Sequence, residues 1–288
     1  MDKLTPRERF ITALERKPLT GLVPHFELVF YLTMEAFGAV HHLHRRFDQW
    51  DQMSRREQEL QLLSIADMYI QTAERYSHSA IFVHGELPYV ALIAEKIREL
   101  SGERYFLCTH GDATFAIPDG NGMYDFSYRL VDEPEKVLEE AERRVQNQLE
   151  WVERLFIKNH LIDGIALCSD YCLNTGPFLS PGQFSEFIAP FLKKLIRGYR
   201  DMGLYTIKHT DGNIMPIIDQ LVQCAPHALH SLDPQAGVSL AEVVRLYGDK
   251  VALCGNVNCG LLQTGTDEQC TADVRRSLRD GMRAPGYI

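Results

Sequence analysis

Several signatures that would place this 288-residue chain at once are missing from it. No run of eighteen apolar residues occurs, so no membrane-spanning helix is expected. The opening MDKLTPRERF is charged and has no apolar core, so nothing marks a secretory signal. Lysine and arginine total 30 against 39 acidic residues, a net charge of -9, and no Lys/Arg cluster offsets it; a nucleic-acid surface is not expected. The seven cysteines (Cys108, Cys168, Cys172, Cys224, Cys254, Cys259, Cys270) are odd in number, scattered and without a CxxC pair. That pattern suits free thiols in a reducing cytoplasm better than a disulfide framework. There is no GxGxxG or GxxxxGK[ST] phosphate loop, and GLLQTGT at 260–266 is too loose to replace one. Repeats, low-complexity tracts and linkers are absent as well. What remains is an ordinary globular composition, 45% hydrophobic and 24% charged, best divided as one domain over 1–288.

What the chain does have is an alternation. Thr5, Pro6 and Glu8 form a capping box with proline at the first helical position, predicting a helix to about Lys17. Residues 22–30 (LVPHFELVF) read as a strand weakened at its start by Pro24. Residues 31–76 read as mostly helical, with the apolar positions of SRREQELQLLSIADMYIQTAERY at helical spacing. Short apolar segments then alternate with helical patterns: AIFVHG, RYFLCTHG, GIALCSD, LYTIKH, HALHSL and VALCGNV. Helices are expected over roughly 87–100, from Asp132 to about Asn159 after the PDGNG loop, and around 267–282. Another opens at Ser180-Pro181 and runs to Met202, stopped by Gly203. GYI at 286–288 reads as a strand that has only begun. The strands near 23–29, 80–84, 104–109, 164–169, 204–208, 227–231, 251–255 and 286 onward number eight. Parallel βαβ units in that number favour an α/β fold, a (β/α)8 TIM barrel with an N-terminal helical extension, over a doubly wound sheet.

In such a barrel the working residues sit at the C-terminal strand ends. The polar residues found there are Glu27, His84, His110, Asp170, His209 with Asp211, Asp233 and Asn256. The sharpest local signal is KHTDGN (208–213), whose H-x-D pair puts an imidazole and a carboxylate on one side of an extended chain. Both groups are zinc ligands at about 2.0–2.2 Å. The competing reading has Asp211 capping the next helix with His209 packed beside it. Asp170 follows an apolar strand, where a carboxylate suits a general base, a substrate-orienting group, a metal ligand or a hydrogen bond within its own loop. Asn256 follows Gly255, which permits close backbone approach, so its amide can read a substrate edge. Cys168 and Cys254, inside strands, read as small core residues. The His41-His42-x-His44 group beside Arg45 and Arg46 reads as surface.

Four segments are familiar: TPRERFITALERKPLTGLVP, GPFLSPGQFSEFIAPFLKKLI (176–196), IKHTDGNIMPIIDQL (207–221) and LYGDKVALCGNVN (246–258). In this order they resemble the uroporphyrinogen decarboxylase superfamily. True decarboxylases of that group carry an arginine-rich segment in the first strand region for their polycarboxylate substrate. Here PHFELVFYLT (24–33) has no arginine and an acidic Glu27. The resemblance therefore points to the branch of methyltransferases that move a methyl group to or from a corrinoid protein. It implies zinc held by a His-x-Cys pair and a later Cys. His209 matches the histidine, Asp211 stands where the first cysteine would be, and the later cysteine would lie beyond the eighth strand. Asp170 or Glu27 would orient the substrate or complete the zinc shell, and His84, His110, Asp233 and Asn256 would contact it. The substrate would be a methyl ether, methylamine, methanol or methylated thiol, and the corrinoid would ride on a separate partner. Two alternatives stand beside this reading: decarboxylation of a tetrapyrrole or smaller acid, and a non-catalytic barrel that binds a small molecule.

Overall fold

The computed structural model describes residues 4–28, 35–38, 50–85, 89–157 and 160–288. The His41-His42-x-His44 group with Arg45 and Arg46 falls outside the described residues, as does most of the expected helical stretch before Trp50.

Six parallel strands form the central sheet: β1 (Ala80–Val83), β2 (Phe106–His110), β3 (Gly164–Leu167), β6 (Tyr205–His209), β7 (Ala228–His230) and β8 (Ala252–Cys254), neighbours in that order. A two-strand hairpin, β4 (Cys172–Leu173) with antiparallel β5 (Gly176–Pro177), lies apart from it. Sheet residues such as Ile81, Phe82, Leu107, Ile165 and Leu253 are fully buried. That is why these strands read as unbroken apolar runs: a parallel sheet covered on both faces has no polar side to alternate with. The helices are α1 (Pro6–Leu14), α2 (Arg55–Arg75), α3 (Tyr89–Ser101), α4 (Gly122–Asp132), α5 (Pro134–Val152), α6 (Pro181–Phe187), α7 (Ala189–Asp201), α8 (Ile218–Gln223), α9 (Leu240–Tyr247), α10 (Cys259–Thr264) and α11 (Asp267–Gly281).

The capping box holds: the Thr5 N–H donates to Glu8 Oε2 at 2.8 Å, and the Glu8 N–H returns to Thr5 Oγ1. The stop at Gly203 holds as well, with its φ of +82 in the region that favours glycine. Two helix expectations need correction. The helix opened by Pro181 breaks after Phe187, because Pro190 has no N–H to continue the ladder and starts α7 instead. The helix expected from Asp132 starts two residues later, at Pro134, as α5, and a helix that was not expected, α4, ends at Asp132 just before it.

Of the eight expected strands, six form the curled parallel sheet among the described residues, and a further segment flanks each edge. At one edge, residues 23–27 of the predicted strand 22–30 join no ladder; the bond from the Ser79 N–H to His25 O (2.7 Å) ties them to the chain just before β1. Pro24, lacking a donor, explains why pairing does not run further back. At the other edge Tyr287 bridges Leu253 in parallel, with Leu253 N–H donating to Gly286 O and Ile288 N–H to Leu253 O. The sheet is curled: the Phe26 ring, beside β1, lies 5.9 Å from the His230 ring of β7.

Candidate metal-binding site

Three of the expected residues meet at the C-terminal end of the sheet. Asp170, His209 and Asp211 each offer a ligand atom, and these atoms lie within 4.8 Å of one another. His209 Nε2 is 3.7 Å from Asp170 Oδ1 and 3.8 Å from Asp211 Oδ2. The local chain path explains the meeting. The Asp211 N–H donates to Asp170 Oδ1 (2.9 Å) and the Tyr171 N–H to Thr210 Oγ1 (3.0 Å), so the loops after β3 and β6 are stitched together. Gly212 completes the fit: with φ +83, it sits where an added Cβ would lie 2.5 Å from Cys172 O of the hairpin. Asp211 does not cap a helix. The next helix starts at Ile218, and the Asp211 carboxylate accepts from Ser231 Oγ–H instead.

Burial lowers the pKa of His209, against the opposing pull of Asp211 and Asp170. Its other ring nitrogen, Nδ1, lies 2.8 Å from Nδ1 of His230. Burial, with His209 alongside, pushes His230 down to about 3, so this ring is neutral. His110, also lowered by burial and by the nearby His209, sits at the same mouth and stays open to solvent. His84 lies behind it, buried, with ring centroids 5.5 Å apart.

The remaining expected residues are placed elsewhere. Glu27 lies 3.9 Å from His78 Nε2, in the segment beside β1. Asp233 accepts from the Gln235 N–H in a turn of its own loop. Asn256 needs correction as a substrate contact, because it is buried and its amide is committed. Its Nδ2 donates to Leu232 O at 2.7 Å, and its Oδ1 accepts from Arg276 at 2.9 Å, which braces the end of β8 against α11. Cys168 and Cys254 are packed as expected, and burial pushes the Cys168 thiol up to about 12.

Two features were missed. One is the His230-Ser231 pair, which touches both His209 and Asp211; the sequence hint was that a histidine follows the apolar residues of both ALH (228–230) and YTIKH (205–209), and His209 and His230 are register partners. The other is a buried ion pair behind the site. Lys208 Nζ donates to Asp112 Oδ2 at 2.8 Å, to Ser169 O at 2.9 Å and to Leu167 O at 3.2 Å, and lies over the Tyr171 ring. Burial opposes the charge on Asp112, yet Lys208 and Thr114 hold its pKa down to about 2. This pair fastens the ends of β2, β3 and β6 to one another. A cleft of about 630 Å³ lies at the opposite end of the sheet, among Arg16, Arg200, His227 and Lys250, and is remote from this chemistry.

The donor set fits a divalent cation. Two ligands about 2.0–2.1 Å from a tetrahedral metal are roughly 3.3 Å apart, so the observed spacings need to contract only slightly. Imidazole and carboxylate are both zinc ligands, and this set suits a harder divalent ion better than a thiolate set would.

No helix among the described residues is long and apolar enough to cross a membrane. Among solved structures, a methyltransferase from Methanosarcina mazei shares the fold, with a TM-score of 0.74 at 15% identity over 98% of this chain and 92% of that one. No curated protein matches by sequence. Residues 158–288 match the family model for uroporphyrinogen decarboxylase (URO-D). That stretch contains three of the four familiar segments and all three residues of the rim cluster. By this match, the C-terminal part of the chain, residues 158–288, is similar to the uroporphyrinogen decarboxylase family.

Proposed function

We propose that this chain transfers a methyl group between a small methylated substrate and a corrinoid carried by a separate protein, with a divalent cation, zinc first among them, at His209, Asp211 and Asp170. The observation that carries the reading is the convergence of those three ligand atoms at the strand ends. The fold shared with a methyltransferase supports it, as does the absence of arginine from 24–33. Decarboxylation of a polycarboxylate would call for cations at the mouth, where this chain instead gathers Asp170 and Asp211.

A cation held there supplies Lewis acidity to the heteroatom bearing the methyl group, and the corrinoid supplies the centre that exchanges it. The chain's own residues do the rest. His209 is neutral near pH 7 and offers a lone pair, while the two carboxylates balance a double positive charge. Carboxylate in place of thiolate makes the harder site, which favours an ether oxygen or an amine nitrogen over a thiol. His110, neutral and open to the mouth, is positioned to hydrogen-bond the substrate. The Asp112–Lys208 pair keeps the loops after β2, β3 and β6 from drifting.

The test is methyl transfer to added reduced cobalamin, followed by its visible spectrum, with a panel of methyl ethers, methylamines, methanol and methylated thiols. The expected result is zinc-dependent methylcobalamin formation with an ether or amine, lost in Asp211→Asn. Turnover of uroporphyrinogen without cobalamin would replace this reading with decarboxylation.

A further inference from the structure

The contact between His209 and His230 carries information about proton placement. Two Nδ1 atoms 2.8 Å apart share one hydrogen, because two lone pairs or two N–H groups would repel at that distance. Each neutral imidazole has a single N–H. Two arrangements are therefore open. If His230 donates, His209 carries its hydrogen on Nε2, aimed at Asp170 and Asp211. If His209 donates, its Nε2 faces them with a lone pair.

The distances favour the second. An Nε2–H between two carboxylates would draw at least one of them to about 2.7–2.9 Å. They stand at 3.7 and 3.8 Å, too far for hydrogen bonds. Neither depends on His209 for its orientation. The Asp211 backbone N–H holds Asp170 Oδ1, and the Ser231 hydroxyl holds Asp211 Oδ1. We infer that His230 and Ser231, adjacent at the end of β7, are positioning residues: His230 accepts the Nδ1–H of His209 and so turns the Nε2 lone pair outward, and Ser231 aims the Asp211 carboxylate at the same point. Outer-shell partners of this kind fix the tautomer and angle of metal-bound histidines. The inference rests on the metal reading above and assigns each ligand its own orienting group.

Two measurements test it separately from that reading. In the metal-free protein, nitrogen-15 NMR of the histidine rings reports tautomers directly. The expected result is His209 as the Nδ1–H form in wild type, with that preference lost in His230→Leu. An Nε2–H form of His209 in wild type overturns the inference whether or not zinc binds. For the metal, zinc affinity by competition titration is expected to fall roughly 10–100-fold in His230→Leu. It should recover in His230→Asn, whose side-chain oxygen can take the place of Nδ1 as acceptor. Equal affinity in wild type and His230→Leu overturns the inference and leaves the metal site standing. Should His230→Leu fail to fold, Ser231→Ala gives the same test through Asp211, with a several-fold weaker affinity expected and an unchanged one contradicting the assignment.

Discussion

Lys208 and His209 are consecutive on β6, and their side chains meet opposite circumstances. Lys208 is fully buried, and its ammonium has a carboxylate and two carbonyls within 3.2 Å. His209 turns to the mouth, where Asp170 and Asp211 stand beyond hydrogen-bond distance and are partly or largely exposed. Both places gather an acid and a base at the ends of the same strands. In one, every donor is matched and the geometry is closed; in the other, a gap of ligand-pair width is left among three lone-pair donors. Closure makes the first a structural joint, and the gap leaves room among the three donors for the proposed cation. The difference follows from the pleat, which sends neighbouring side chains to opposite faces.

The largest expected effect breaks the joint. Lys208→Met leaves Asp112 buried without its counter-charge, so stability should fall by about 3–5 kcal/mol in urea unfolding. A loss under about 1 kcal/mol would mean that the pair is not what fastens the strand ends. The same variant should reverse the response to acid. In the native chain the Asp112 pKa of about 2 lies below its ordinary value of ~4. Its contribution is therefore complete above pH ~4 and lost as the pH falls toward 2. Without Lys208 the buried carboxyl has a raised pKa, so Lys208→Met should gain stability on acidification from pH 7 toward 4, a range in which wild type gains nothing from this group. Next in size is Gly212→Ala, which puts a methyl group against Cys172 O at positive φ. It should cost about 1–3 kcal/mol and weaken metal binding by moving Asp211. The smallest effect sharpens the contrast: Asp211→Asn, at an exposed residue, should change stability by no more than about 0.5 kcal/mol while removing activity.

The parts of this arrangement were unequally legible in the sequence. The six strands could be read because burial on both faces leaves an apolar run bounded by turn residues. The rim trio could be read because each member ends a strand or follows one within three residues. The hairpin of β4 and β5 could not, since two-residue strands carry no periodicity. Asp112 and Lys208 are 96 residues apart, and nothing local in HGDAT or TIKHT announces their pairing. His230 was hidden by its own strand: inside HALHSL it looks like one more residue of an alternating segment, and only the β6–β7 register sets it against His209. Asn256 misled for the converse reason, because a strand-end amide looks the same in a sequence whether it meets a ligand or, as here, Arg276.

The central claim is that His209, Asp211 and Asp170 form a metal site, and its most direct test is zinc binding to chelator-treated protein. Titration of wild type and His209→Ala, with both shown to be folded, should give about one zinc per wild-type chain and none above background in the variant. Zinc bound equally by both proteins, or by neither, would contradict it.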